Sequence, residues 1–428
     1  MISGIKSQLT SLLRWSEKYT KMDMVYLARG SFWSIAGQVS ASLIALTLSV
    51  AMARYVPKDV YGQYKYVLAI ISVLSAFSLS GIGTAVLQSV ARGFDGALAD
   101  SFKANLRWSF VIFIGTFALG GYYLIAGNFV LGLGILIGGT MTPFLGSFNL
   151  YSPFLSGKKE FARQTWYADF VTNIIPAVAL IITAYVAPRP LPLIAVYFSA
   201  NLAATAFAYW RTASRLHRAA EHDPHMLSYG KHLSLIGILG GIAGNIDQLL
   251  LFHFAGATDL AIYNFATGIP DQMKGPLKSL DAMTQARFAN RNDADIHSSI
   301  RNKMFWLFIT SIIVVASYIL LAPYLYTFLF PAYAVAIPYS QIYAVSLFAM
   351  IASPAVSYLS AKKKVREQYI GSISISIFQV IVMSLGVIYW GLLGLIIARI
   401  IIRFSRSYLS YTLYRMSAQA ESLSGSKN

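Results

Sequence analysis

Tyr263-Asn-Phe-Ala-Thr-Gly-Ile-Pro-Asp-Gln-Met-Lys-Gly-Pro-Leu-Lys-Ser-Leu-Asp281 decides how the rest of the chain is read. Asp271, Lys274, Lys278 and Asp281 are spaced three, four and three residues apart. That spacing places all four on one stripe of a helix, each within reach of the next. In a bilayer, each ionised residue near the centre of a span costs roughly 2.5–3.5 kcal/mol, so the stripe must face a watery cavity or pair internally. The competing reading is a polar loop between two membrane helices. Strong apolar spans bracket the stretch at the distance expected of one more helix, which favours the span.

Outward from that stretch the chain is 56% hydrophobic and 12% charged over 428 residues. Soluble domains carry about 25% charged residues, and the recurring runs of 18 or more apolar residues here belong to a polytopic helical membrane protein. The net charge of +17 would suit a nucleic-acid partner if it were concentrated. The basic residues instead sit in short clusters between apolar spans, where they set topology, so no nucleic acid is expected. With no cysteine there is no disulfide, thiolate nucleophile or cysteine metal site. No cleavable signal peptide is expected.

Twelve spans are predicted near 31–52, 64–90, 106–127, 129–157, 166–187, 191–212, 232–254, 262–286, 303–329, 333–360, 369–389 and 391–414. Loops on one side, with both tails, hold 25 of the 34 Lys and Arg, and the opposite loops hold three. That bias predicts a multi-pass protein with both termini in the cytoplasm. The predicted parts are a cytoplasmic segment 1–30, a six-helix bundle 31–212, a linker 213–231, a second bundle 232–414 and a tail 415–428. Ile2, Ile5, Leu9, Leu12 and Leu13 share one face in the first segment, which reads either as an interfacial helix on membrane lipids or as an unstructured terminus.

The outward loops are short, and no Gly-x-x-x-x-Gly-Lys-Ser/Thr loop occurs, which argues against a glycosyltransferase, a polymerase or a built-in ATPase. The halves repeat at an offset near 200. Ala53-Arg-Tyr-Val-Pro-Lys-Asp-Val-Tyr-Gly-Gln-Tyr64 aligns with Phe252-His-Phe-Ala-Gly-Ala-Thr-Asp-Leu-Ala-Ile-Tyr263. Leu155-Ser-Gly-Lys-Lys-Glu-Phe-Ala-Arg-Gln164 aligns with Leu359-Ser-Ala-Lys-Lys-Lys-Val-Arg-Glu-Gln368. Six spans per repeat make the halves parallel around a central cavity.

The Ala53-to-Tyr64 stretch resembles a signature of polysaccharide flippases. Gly244-Asn-Ile-Asp-Gln-Leu-Leu-Leu251, with Phe254-Ala-Gly256 and Tyr263, is similar to their seventh-span pattern. These proteins belong to the multidrug/oligosaccharidyl-lipid/polysaccharide (MOP) exporter superfamily, in which the Wzx-type O-antigen flippases are most similar. The resemblance runs from about residue 27 to 414; Gln88 and Gln248 stand where many members carry a basic residue. It implies an all-α, MATE-like carrier in the bacterial inner membrane. Its substrate would be an undecaprenyl-diphosphate-linked oligosaccharide, and a polysaccharide polymerase and a chain-length regulator its companions. No cofactor or metal is implied, though a proton or sodium ion could couple transport. A small-molecule antiporter of the same fold is the second reading.

Such a substrate needs cations for its head. Lys274 and Lys278 supply them in the second half, and Lys65, the repeat mate of Asn264, supplies one from the first. Arg399, Arg403 and Arg406 recur on one face of the last span, as cavity residues or as snorkelling anchors. We expect Arg399 and Arg403 in the cavity and Arg406 as an anchor. Asp247 is mid-span, either a proton or sodium coupling site or a static partner for a nearby lysine. Asp271 and Asp281 either join it in coupling or neutralise the lysines. Pro143, Pro153, Pro270, Pro276 and Pro354 fall within predicted spans, where each should kink its helix.

Overall fold

The computed structural model describes residues 24–216, 221–274, 293–361 and 365–425, and these contain helices and turns but no strand. The longer helices are α1 (Met24–Tyr55), α2 (Lys58–Ser75), α3 (Ile82–Ala91), α4 (Ala97–Trp108), α5 (Phe110–Ile125) and α6 (Phe129–Phe148). The short α7 (Tyr151–Gly157) and α8 (Phe161–Thr165) lead through a π-helical turn, Trp166–Val171, into α9 (Thr172–Val186) and α10 (Pro190–Ala213). The second half holds α11 (Met226–Ala243), α12 (Ile246–Gln272), α13 (Asp293–Leu329), α14 (Ile337–Ala344), α15 (Ser353–Ala361) and α16 (Val365–Gly425).

Among the described residues nine segments are long and apolar enough to cross a membrane. The difference from the expected twelve has physical causes. The predicted span 64–90 is divided, because α2 ends at Ser75 and α3 begins at Ile82. At that break the Gly81 amide donates to the Ser234 hydroxyl at 2.9 Å, and a Cβ on Gly81 would lie 2.5 Å from that of Leu233. Two other segments, Gly237–Gln272 and Gly371–Ser417, each hold two limbs. A straight helix would separate Asp247 from Tyr263 by about 24 Å. The Tyr263 hydroxyl instead donates to Asp247 at 2.5 Å, so the chain reverses at Gly256 (φ 88°, ψ −177°). It reverses again at Gly391 (φ 53°, ψ −132°), where a Cβ on Gly386 would lie 2.7 Å from the carbonyl oxygen of Gly394. Glycine alone tolerates such backbone angles at little cost.

Two prolines do less than the sequence suggests. Pro143 and Pro270 lie inside α6 and α12. Pro153 and Pro354 instead fall in the first turns of α7 and α15. There the amide has no intrahelical acceptor to lose, so they mark helix starts. Pro276 lies outside the described residues.

The halves meet along α2 and α12, on both sides of the Gly256 reversal. Gly62 lies so close to the Ala257 backbone that a Cβ would overlap it, and Tyr66 stacks on Phe252 with ring centroids 3.7 Å apart. At the far end Gly230 packs on Ile82, and the linker joins the α3–α4 turn through a Gly96 amide bond to the Glu221 carbonyl at 2.9 Å. Large apolar side chains cover the outer faces, among them Phe110, Ile114, Phe117, Leu320, Phe328 and Trp390. In water this would be an aggregation-prone surface; in hydrocarbon it is the face that a spanning bundle requires.

Candidate functional site

Each reversal of the chain brings ionisable groups that are far apart in sequence to one place. The limbs of α12 supply Asp247 and, in the last turn, Asp271. The second limb of α16 supplies Arg399 and Arg403, one turn apart. Tyr343 comes from α14 and Ser346 from the 3₁₀ segment Val345–Ala352 that follows it.

Arg399 reaches between both acids. It pairs with Asp247 and with the Tyr263 hydroxyl, and its other nitrogen lies 3.4 Å from Asp271. Arg403 donates to Asp271 at 2.7 Å and to the Ser346 hydroxyl at 2.6 Å. Lys274 donates to Asp271 at 2.7 Å. The Tyr343 ring completes the enclosure, with the Arg403 guanidinium 4.6 Å from its centroid and Lys274 Nζ 5.8 Å from it. Three cations against two carboxylates leave one positive charge in excess. Asp247 is 1% exposed, whereas the side chains of Arg403, Arg399 and Asp271 are 20%, 23% and 31% exposed. One end of the cluster is therefore sealed and the other open.

This gathers Asp247, Asp271, Lys274, Arg399 and Arg403. Asp247 has an arginine partner in place of the expected lysine. Asp271 binds Lys274 as the i, i+3 spacing predicts, but also two arginines more than 120 residues away. Lys278 and Asp281 lie outside the described residues, so only half of the predicted stripe is placed. Lys65 does not join the cluster. Its Nζ lies 5.5 Å from the Tyr61 ring centroid, and among the described residues no carboxylate is in ion-pair reach. Asn264 turns its amide back onto the Leu260 carbonyl at 2.9 Å. It lines an apolar pocket of about 370 Å³ between α1 and α12, shared with Leu43, Leu46, Phe265 and Ile269. Asn264 and Lys65 thus both lie by Tyr61.

A second cavity, of about 590 Å³, belongs to the first half and is lined by α2, α6, α9 and α10. Sequence reading missed this cavity, and it missed Tyr343 and Ser346 too. Single tyrosines and serines carry no spacing signal among 27 tyrosines, so only the fold could find them.

The family of polysaccharide biosynthesis proteins matches residues 27–271. No curated protein sequence matches the chain. Among solved structures, the fold is similar to an outward-facing multidrug resistance MATE family transporter of the MOP superfamily. The TM-score is 0.66 at 18% identity, over 92% of this chain and 96% of that one. An inward-facing multidrug resistance MATE transporter of that superfamily matches at 0.64 and 15% identity, over 91% of this chain and 98% of the other. A MOP superfamily transporter from Pyrococcus furiosus, described as having a binding pocket of reverse polarity, matches at 0.64 and 16% identity, over 92% and 96%. The nearly all-helical bundle, its apolar outer faces and the matched sequence together make this chain a member of the polysaccharide biosynthesis protein family, with the fold of MOP-superfamily transporters.

Proposed function

We propose that the protein moves an undecaprenyl-diphosphate-linked oligosaccharide from the inner to the outer leaflet of a bacterial inner membrane. Transport would proceed by alternating access and would serve the synthesis of a surface polysaccharide such as O-antigen. One observation carries the reading: the excess positive charge of the Arg399–Arg403–Lys274 cluster, open on its Asp271 side. A diphosphate can displace Asp271 from Arg403 and Lys274 while Asp247 continues to hold Arg399. Family membership supports a role in polysaccharide synthesis. The small-molecule antiporter remains the runner-up, since the similar folds include multidrug transporters. A cluster with excess positive charge repels the cationic drugs such a carrier would take. Asp247 and Asp271 are held by cations, so a coupling role for either requires those pairs to open during the cycle. Lys65 would act later on the glycan's path, from the first half.

The test is reconstitution of the full chain in liposomes with a fluorescent polyprenyl-diphosphate saccharide, followed by quenching from outside. Flipping should occur, and Lys274→Ala with Arg403→Gln should slow it at least tenfold at equal protein density. Ethidium movement without any lipid flipping would support the antiporter instead. Cytoplasmic termini follow from the Lys and Arg distribution; reporter fusions after His222 and after Lys364 should both read as cytoplasmic, and an exported signal at either site would overturn this topology.

A further inference from the structure

The 590 Å³ cavity of the first half has a lining unlike that of the charged cluster. Its size falls within the ~300–1,000 Å³ of ordinary ligand sites. No Asp, Glu, Lys or Arg lines it among the described residues; the polar groups are hydroxyls and amides. Where their hydrogens point decides what the cavity can bind.

Ser75 donates to the Ile71 carbonyl at 2.7 Å and Thr142 to Gly138 at 2.8 Å. Thr172 donates to Ala168 at 2.7 Å and Thr205 to Asn201 at 2.8 Å. A hydroxyl has one hydrogen, so each of these four oxygens can only accept from a ligand. The Asn201 amide nitrogen donates to the Tyr197 carbonyl at 2.7 Å, and that of Asn173 to the Ala168 and Asp169 carbonyls at 3.0 Å. Their side-chain oxygens remain as acceptors. Donors share the lining with these acceptors. Ser109 contributes a hydroxyl that is 0% exposed and has no partner among the described residues. Ser72 and Ser152 accept in their bonds from Asn245 and Gln164 and so keep their own hydrogens, and Ser78 and Asn149 stand beside them. The Tyr197 and Phe198 rings supply apolar faces on the same lining.

We infer that this cavity is a binding site for uncharged, hydroxyl-rich saccharide, and that the protein therefore prefers neutral over acidic glycans. A sugar hydroxyl both donates and accepts, and the lining offers neutral partners of both kinds; its apolar ring face meets Tyr197 and Phe198. A uronate carboxylate finds neutral hydroxyl and amide donors but no cation on this lining, so its charge loses water without gaining a counter-charge. The cavity also adjoins the charged cluster. The Asn245 amide, two residues before Asp247, donates to the Ser72 hydroxyl on the lining at 2.9 Å. Resting on the proposed function, this divides the substrate: diphosphate on the second half, glycan on the first.

The experiment uses the full chain in lipid nanodiscs, free of sugar-headed detergent. Saturation-transfer NMR compares maltotriose with tri-galacturonate, and a separate titration measures geranylgeranyl diphosphate, which has no sugar. Maltotriose should bind at least tenfold more tightly than tri-galacturonate, and Asn201→Leu should weaken it severalfold while leaving geranylgeranyl diphosphate unchanged. Asn149→Lys, which adds a cation to the lining, should shift the preference toward tri-galacturonate by fivefold or more. Equal binding of the two saccharides, tighter binding of the acidic one, or no saturation transfer to maltotriose overturns the inference. Failure of geranylgeranyl diphosphate alone to bind counts against the flippase reading and leaves the saccharide comparison standing.

Discussion

The Tyr343 hydroxyl lies 3.1 Å from both carboxylate oxygens of Asp271, 72 positions away in the sequence. It donates from a residue that is 0% exposed, so Asp271 has a buried neutral donor on one side and the Arg403 and Lys274 cations on its more exposed side. In the proposed transport cycle, where a ligand draws Arg403 and Lys274 away, Tyr343 would keep the carboxylate in place.

That arrangement makes Tyr343→Phe informative. The ring and its contact with the Arg403 guanidinium survive, and only the hydroxyl is lost. A hydrogen bond to a charged group contributes about 1.5–3 kcal/mol, and Arg403 and Lys274 still satisfy Asp271 in the resting protein. Thermal stability should therefore fall by only a few degrees. Flipping should fall by more, about tenfold, because Asp271 lacks a partner once the cations engage the diphosphate. Equal transport by Tyr343→Phe and the parent protein would place Tyr343 in packing alone.

Asp247 and Arg399 are a different kind of pair. Asp247 is 1% exposed and held by Arg399, which also bonds Tyr263 and has a side chain 23% exposed, so the acid has no water to return to. Removing one partner of a buried pair costs about 3–5 kcal/mol, mostly for the charge left behind. Asp247→Asn should accordingly lower abundance and thermal stability strongly, and adding Arg399→Gln should restore much of the loss. If Asp247→Asn instead inserts at normal levels and loses only its dependence on an ion gradient, Asp247 is a coupling site.

The charge pattern showed in advance that Asp247, Asp271, Lys274, Arg399 and Arg403 needed partners inside the bilayer. It did not show which partners. Asp271 and Lys274 are joined by local helix spacing, which sequence reveals. Asp247 and Arg399 are joined by two hairpins that meet across the bundle, and nothing local to either residue encodes that distance. The first-half cavity was illegible for a related reason. Its serines, threonines and asparagines are scattered over five helices and the turns between them, and they differ from other polar residues in spans only by converging. Lys65 and Asn264, mates in the repeat, both lie beside Tyr61.

The hairpin at Gly391 can be tested against an internal control. A side chain there would be held at φ 53° and ψ −132°, a strain on the order of 1–3 kcal/mol. Gly391→Ala should lower thermal stability by several degrees, and Gly394→Leu by more, since the Gly386 backbone occupies the space. Gly121→Ala, with nothing within 4 Å of the added carbon, should change little. Comparable shifts in all three would mean that Gly391 does not fix the reversal.

The linker carries its own charge lock, outside the membrane. Asp223 is 6% exposed and pairs with Arg92 at the end of α3, while accepting from the His225 amide at 3.0 Å. His222 contacts Asp100 at 2.6 Å beside it. Burial alone would raise the Asp223 carboxyl, but the His225 amide and the Arg92 guanidinium outweigh it and hold the group below the ordinary carboxylate range. A carboxyl depressed in the folded state stabilises above its unfolded pKa, about 3.9, and that stabilisation fades only as pH falls below it. The lock should therefore stay shut across the physiological range. Limited proteolysis reports it directly: cleavage between residues 213 and 226 should be slow and flat from pH 5 to 8. Asp223→Asn should speed cleavage severalfold at every pH in that range, because the amide cannot pair with Arg92. Arg92→Ala should match it, whereas Arg163→Ala, whose partner Glu160 is local, should leave the linker protected. Rapid cleavage of the parent protein at pH 7 would mean that the linker is not held by this pair.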